Sequence, residues 1–269
     1  MRIKKKLLKG TRYLLSEMER AMYLLGFIPV TKLCLPDFLG IGAQKAGTTW
    51  LYENLRCHPG IFMPEEKELH YFDWNFHESL KLYAEQFRPG RFRIKGEITP
   101  GYSILPIKRI RFIRGIMPEL KLIFIIRNPV ERAWSQAVMN LLKRPKKKYE
   151  EIDETEFYDH FRSLRSIKRG DYLTIIDNWS KVFDRDRIFI GFFEEIKERP
   201  RELLRKIFTH LDVSQNVDWD TFPYNRKIGG NPEISIPPKY DIFLKNMYKK
   251  DIELLHERFG ECIGNKVNW

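Results

Sequence analysis

Cysteine is scarce in this chain. Cys34, Cys57 and Cys262 lie far apart, with no Cys-x-x-Cys pair and no Cys/His cluster, so neither a zinc site nor a disulfide framework is expected. A long apolar run is also missing. The uncharged stretch between Arg20 and Lys32 is short, well below the roughly 20 residues a spanning helix needs. No small-residue cleavage site follows an apolar core near the N-terminus, so a secretory signal is not expected and the location implied is cytoplasmic. Acidic residues are the third shortage: 36 Asp and Glu against 48 Lys and Arg leave a net charge of +12. That sign favours anionic partners such as nucleotides, sulfated or phosphorylated substrates, or an acidic membrane face, against the plainer reading of a basic, solvated surface. What is present is ample for a core, with 43% hydrophobic and 14% aromatic residues over 269 positions.

The most informative stretch is Asp37 to Asn54, DFLGIGAQKAGTTWLYEN. Phe38, Leu39 and Ile41 read as a short buried strand, Gly42 and Gly47 bound a loop, and a helix opens near Thr48. The first N–H groups of such a helix lack intrahelical partners, which suits an anion. Gly42 and Gly47 have the spacing of a phosphate loop, but Thr48 and Thr49 stand where a nucleotide triphosphatase carries Lys then Ser or Thr. The loop's lysine is Lys45, inside it.

Residues 1–36 read as a basic amphipathic extension ahead of a domain spanning 37–269. Arg2, Lys4, Lys5, Lys6, Lys9 and Arg12 precede the first acid, and Leu14, Met18, Met22 and Leu25 recur every three or four residues. The stripe either docks on the domain, which is the favoured reading, or lies on an anionic membrane surface through residues 1–28. Further along, Ile61 to Trp74 is expected to be extended, which sets Glu68 and His70 on one face as an acid/base pair. Lys121 to Ile126 is a continuous apolar strand of the kind buried in a parallel sheet. It runs into Arg127, then Asn128 as an N-cap and Pro129 as a first helical residue, with Val130, Trp134, Val138 and Leu141 as the helix's buried stripe. An arginine at that strand end, where a triphosphatase has an acidic metal ligand, suits a second anion without magnesium; Ser135 adds a hydroxyl nearby. The 143–148 run KRPKKK reads as a solvated loop. Arg187 to Phe192 is another strand, Pro200 to Leu211 and Tyr240 to Phe259 are helices, and Tyr224 to Pro232, with Arg226, Lys227 and Gly229, is a loop suited to closing over a nucleotide. Strands alternating with helices predict one α/β domain, a P-loop-like parallel sheet flanked by helices.

The segments GAQKAGTTWL, HPGIF, KELHYFD, GEITPGY, FIIRNPVERAWS and GDYLTIIDNW, in this order, resemble the sulfotransferases that use 3′-phosphoadenosine 5′-phosphosulfate (PAPS), above all the branch of heparan sulfate N- and O-sulfotransferases and their bacterial relatives. The resemblance implies the sulfotransferase fold and release of adenosine 3′,5′-bisphosphate. It implies that Lys45, Ala46, Gly47, Thr48 and Thr49 hold the 5′-phosphosulfate, that Arg127 and Ser135 hold the 3′-phosphate, and that Glu68 is the catalytic base with Lys45 at the leaving oxygen. Arg226, Lys227 and Gly229 then belong to the nucleotide site, and His70 and Tyr172 to the acceptor side, with no metal. The expected acceptor is a glycan, glycolipid or small metabolite, and not nucleic acid. One departure stands out: Glu97-Ile98 replaces the Glu-Lys of many glycosaminoglycan members, which argues against a heparan-like acceptor. The rival readings are a P-loop small-molecule kinase and a non-enzymatic basic module that binds membrane or glycan.

Overall fold

The structure is a computed structural model that describes residues 2–230, 234–263 and 269. Five parallel strands form one sheet in the order β2-β3-β1-β4-β5. They are β1 (Phe38–Gly42), β2 (Ile61–Phe62), β3 (Ile94–Ile98), β4 (Lys121–Ile126) and β5 (Ile188–Phe192). The helices are α1 (Arg2–Leu24), α2 (Thr48–Leu55), α3 (Leu80–Glu85), α4 (Ile107–Ile116), α5 (Pro129–Ala137), α6 (Glu154–Arg162), α7 (Leu164–Gly170), α8 (Tyr172–Ser180), α9 (Phe193–Glu198), α10 (Pro200–His210) and α11 (Pro238–Ile263).

Strand β4 is the least polar segment and lies between β1 and β5, with Leu122 through Ile126 all buried. Helices on both faces bury such a strand on each side, so its sequence does not alternate. The chain leaves β1 for β2 and β3 on one side, then crosses to β4 and β5 on the other. That reversal opens a crevice at the carboxyl ends of the central strands, the usual ligand position in an open α/β sheet. The loop after β1 and the turn after β4 both enter it. Asn128 caps α5 by accepting from the N–H groups of Val130 and Glu131, and Pro129 opens it. A second apolar cluster, joining α5, α6 and α11 around Trp134, Phe157, Phe161 and Tyr240, backs the site.

Helix α1 docks by the face opposite to the expected one. Ser16, Arg20 and Tyr23 are buried, while Leu14, Leu15, Met18, Met22 and Leu25 face solvent. Arg20 donates to the Phe76 carbonyl at 2.6 Å and lies over the Phe76 ring. Glu19 accepts from the Ser79 hydroxyl and the Leu80 N–H at the start of α3. Polar groups that would be costly to leave unpaired fix the roll of the helix, and the apolar stripe is left outside.

Candidate functional site

The loop between β1 and α2 is shaped by two left-handed residues, Lys45 (φ 73°) and Gly47 (φ 80°). At Gly47 the positive φ favours glycine, and a Cβ would also crowd the tip of the Ile196 side chain at 2.4 Å. Helix α2 begins at Thr48 with no side-chain cap, so its first N–H groups have no partner within the helix. Arg127, at the end of β4, donates to the Lys45 carbonyl at 3.1 Å and to Glu131 at 2.6 Å, and stacks over Phe193. Tyr172 is buried and donates its hydroxyl to the Arg127 carbonyl at 2.9 Å. It therefore supports Arg127 and, contrary to expectation, is too buried to face an acceptor. Ser135 lies half-buried one helical turn further along α5 than Glu131.

The lysine of the loop sits among cations. Burial first, then Lys143, Arg127 and Arg144, lower the Lys45 ammonium to about 8, while Glu68 acts in the opposite sense. Lys143 and Arg144 belong to the run expected to be a solvated loop. The helix containing Pro129–Ala137 continues through a wider turn at Val138–Lys143 and carries Lys143 back to the site, where it donates to the Gly230 carbonyl at 2.9 Å.

The 224–230 loop lies against the start of α2. The Trp50 indole donates to the Tyr224 carbonyl at 2.9 Å, and Gly229 (φ 69°) packs so closely on Thr49 that a Cβ there would be 3.3 Å from the Thr49 Cβ. Arg226 and Lys227 are exposed on it. Asn231 and Pro232 lie outside the described residues.

Across the crevice the segment after β2 is not extended, contrary to expectation. Only Ile61 and Phe62 pair as strand, and Glu68 (φ 65°) and His70 (φ 53°) both adopt left-handed backbone. The two side chains nevertheless meet, because the turn brings them together: His70 Nε2 is 3.4 Å from a Glu68 carboxylate oxygen. Lys67 donates to the other Glu68 oxygen at 2.6 Å. On its far side the imidazole faces Asp73, with Nδ1 2.9 Å from Oδ2, and it stacks on Trp74 at 3.6 Å. Asp73 is a further candidate site residue not among those expected from the sequence; its three-residue spacing from His70 in HYFD is the signal that marks it.

Glu97 holds this turn in place. Its carboxylate, 2% exposed, accepts from the hydroxyls of Tyr83, Tyr102 and Thr99 at 2.7–2.8 Å and from the Leu69 N–H, between Glu68 and His70. Burial raises its pKa, and those donors pull it back. Ile98 is fully buried against Gly40, and Lys95 pairs with Asp37 at the other end of β3. Neither side chain takes the place of a lysine facing the crevice.

The arrangement is thus an anion cradle facing a carboxylate, with an Asp-His pair behind that carboxylate. Comparison with known proteins is consistent with this chemistry. The family described as Sulfotransferase domain matches residues 35–221. Mouse heparan sulfate glucosamine 3-O-sulfotransferase 3B1 is 28% identical over 201 residues, covering 72% of this chain and 50% of its own length. The membrane-associated sulfotransferase kil1 of Dictyostelium discoideum is 37% identical over 120 residues, 42% of this chain and 25% of its own. The chain thus spans half or less of the length of these curated relatives. Among solved structures, a sulfotransferase from Alicyclobacillus acidocaldarius superposes with a TM-score of 0.65 at 23% identity, covering 83% of this chain and 95% of that one. Mouse SULT7A1, complexed with PAP, gives 0.54 at 16% identity, covering 87% and 90%. At these identities the likeness is one of fold.

Proposed function

The chain belongs to the sulfotransferase family, and from that premise we propose that it moves the sulfuryl group of PAPS onto a hydroxyl or amine of a glycan, glycolipid or small-molecule acceptor. The observation that carries this reading is the cradle itself: Lys45, Lys143, Arg144 and Arg127 gather at one helix N-terminus, opposite Glu68. Lys45 through Thr49 hold the 5′-phosphosulfate, and Arg127 with Ser135 the 3′-phosphate. Arg226, Lys227 and Gly229 cover the nucleotide, and Tyr172 fixes Arg127.

In the transfer, the acceptor oxygen or nitrogen forms a bond to sulfur as the bond from sulfur to the bridging phosphate oxygen breaks. Glu68 takes the acceptor proton, with His70 and Asp73 orienting it. The electron pair of the broken bond stays on the departing bisphosphate, where Lys45 and the α2 N–H groups meet the charge. The protein positions and stabilises, and forms no sulfo-enzyme intermediate. The PAP bound to SULT7A1 makes adenosine 3′,5′-bisphosphate the nucleotide to test. Calorimetric titration should give tight binding of that bisphosphate and weaker binding of ATP with magnesium; the reverse order would favour a kinase and sink this reading. Incubation with labelled PAPS and fractionated glycans, lipids and metabolites, read by mass gain, then identifies the acceptor.

A second reading concerns location. No helix among the described residues is long and apolar enough to cross a membrane. Yet α1 turns Leu14, Leu15, Met18, Met22 and Leu25 outward, Leu25 being 71% exposed, and its first twelve residues carry six cations and no acid. An apolar stripe beside a basic segment suits the surface of an anionic bilayer, in keeping with the membrane association named for kil1. Flotation with phosphatidylserine vesicles tests it: Met18→Glu with Leu25→Glu should abolish binding, and retention of binding would overturn the assignment.

A further inference from the structure

Beside the Glu68–His70–Asp73 group lies a cavity of about 230 Å³ that none of the roles above uses. Phe72, Asp73 and Trp74 form one wall and Arg109, Arg165 and Arg169 much of the rest. Arg109 is engaged, donating to the Phe72 carbonyl at 2.6 Å and lying over the Phe76 ring. Arg169 is not. It is 4% exposed, and neither its Nε nor one of its terminal nitrogens has a hydrogen-bond partner. Leaving two nitrogens of a buried guanidinium unpaired is costly, and Arg165, four residues earlier on the same face of α7, adds repulsion rather than relief.

From this cavity we infer that Arg169 and Arg165 form an anion subsite for the acceptor, so that the preferred acceptor carries its own carboxylate, sulfate or phosphate group beside the atom that receives the sulfuryl group. The inference rests on the sulfotransferase reading and adds the acceptor's charge to it. Three features make the subsite part of the acceptor path. Asp73 lines the cavity and also orients His70. Arg169 feels Glu68 and Asp73 electrostatically, although burial dominates and lowers it to about 10. Trp74, 57% exposed, stacks one face on His70 and leaves the other as a flat platform. A pyranose or aromatic ring on that platform places an anionic substituent at Arg169 and a neighbouring hydroxyl near Glu68. The nucleotide cradle is separate: Arg169 takes part in none of its contacts.

The test uses the full chain, with and without bound adenosine 3′,5′-bisphosphate. Phenylacetate, phenyl sulfate, phenyl phosphate and neutral benzyl alcohol are titrated by calorimetry into the wild type, Arg169→Met and Arg169→Lys. At least one anion should bind more tightly than benzyl alcohol, and its identity selects carboxylate, sulfate or phosphate. Arg169→Met should weaken that anion about tenfold or more, Arg169→Lys should retain part of the affinity, and nucleotide affinity should not change. Because two of the three guanidinium nitrogens lack a hydrogen-bond partner, Arg169→Met should leave the melting temperature unchanged or raise it. Equal binding of benzyl alcohol, absence of binding by all three anions, unchanged anion affinity in Arg169→Met, or a sharp fall in its melting temperature would each overturn the subsite. Failure of the nucleotide to bind the wild type would instead count against the sulfotransfer reading, and the titrations without nucleotide would still decide the subsite.

Discussion

The guanidinium of Arg127 donates to the main-chain carbonyl of Lys45 at 3.1 Å. One side chain therefore ties the end of β4 to the loop after β1, while its other nitrogens face Glu131. A lysine has a single nitrogen and cannot keep both bonds and an incoming phosphate. Arg127→Lys and Arg127→Ala should each weaken bisphosphate binding by about ten- to a hundredfold. Glu131→Gln, which releases the guanidinium from its ion pair, should preserve or strengthen it. Titration calorimetry checks both directions.

The depressed Lys45 ammonium gives nucleotide binding a pH dependence of definite sign. In the free chain burial and the neighbouring cations lower it to about 8. A bound phosphate restores an opposite charge and raises that value. The bound form thus holds more protons, and affinity must fall as pH rises through about 8 towards the bound value. Lys45→Arg, charged throughout, should flatten the profile between pH 7 and pH 9.

Removal of Glu68, the proposed base, and removal of Asp73 should separate kinetically. Glu68→Gln should lower kcat by about 10²- to 10⁴-fold and leave bisphosphate affinity nearly intact. Asp73→Asn should lower kcat by less, because the imidazole loses the carboxylate at its Nδ1 and holds Glu68 less firmly. Equal loss of nucleotide binding in both variants would contradict this division of roles.

A single methyl group tests the same geometry without touching a charge. A Cβ on Gly101 would lie 2.3 Å from Asp73 Oδ2. The cheapest accommodation is rotation of Asp73 away from His70. Gly101→Ala should therefore reproduce the kinetic phenotype of Asp73→Asn while costing no more than about 1–3 kcal/mol of stability; steady-state kinetics and a melting curve read the two together.

Parts of the molecule governed by neighbours in sequence were legible before folding. Asn128 and Pro129 mark the start of α5 because cap and first-turn chemistry is local, and Thr48 opens α2 where the glycine spacing places it. The run from Lys121 to Ile126 forms β4 with its expected bounds because parallel sheets select uninterrupted apolar strands. The readings that needed correction depended on distant partners. Left-handed backbone at Glu68 and His70 leaves no trace in an alternation pattern; it is held by Glu97, nearly thirty residues away in β3. The roll of α1 is set by bonds from Glu19 and Arg20 to residues 76–80, which no helical periodicity reveals. Arg169 reads in sequence as one more cation of a basic chain, and only its burial singles it out.

Because Ser16, Glu19 and Arg20 decide how α1 is seated, Leu14, Met18 and Leu25 carry none of the packing load that normally restrains apolar residues. Their side chains can be exchanged for polar ones with little penalty to the folded state. The helix is in this sense a mounting plate whose outward face is free to be retuned by substitution, independently of the catalytic body to which it is fastened.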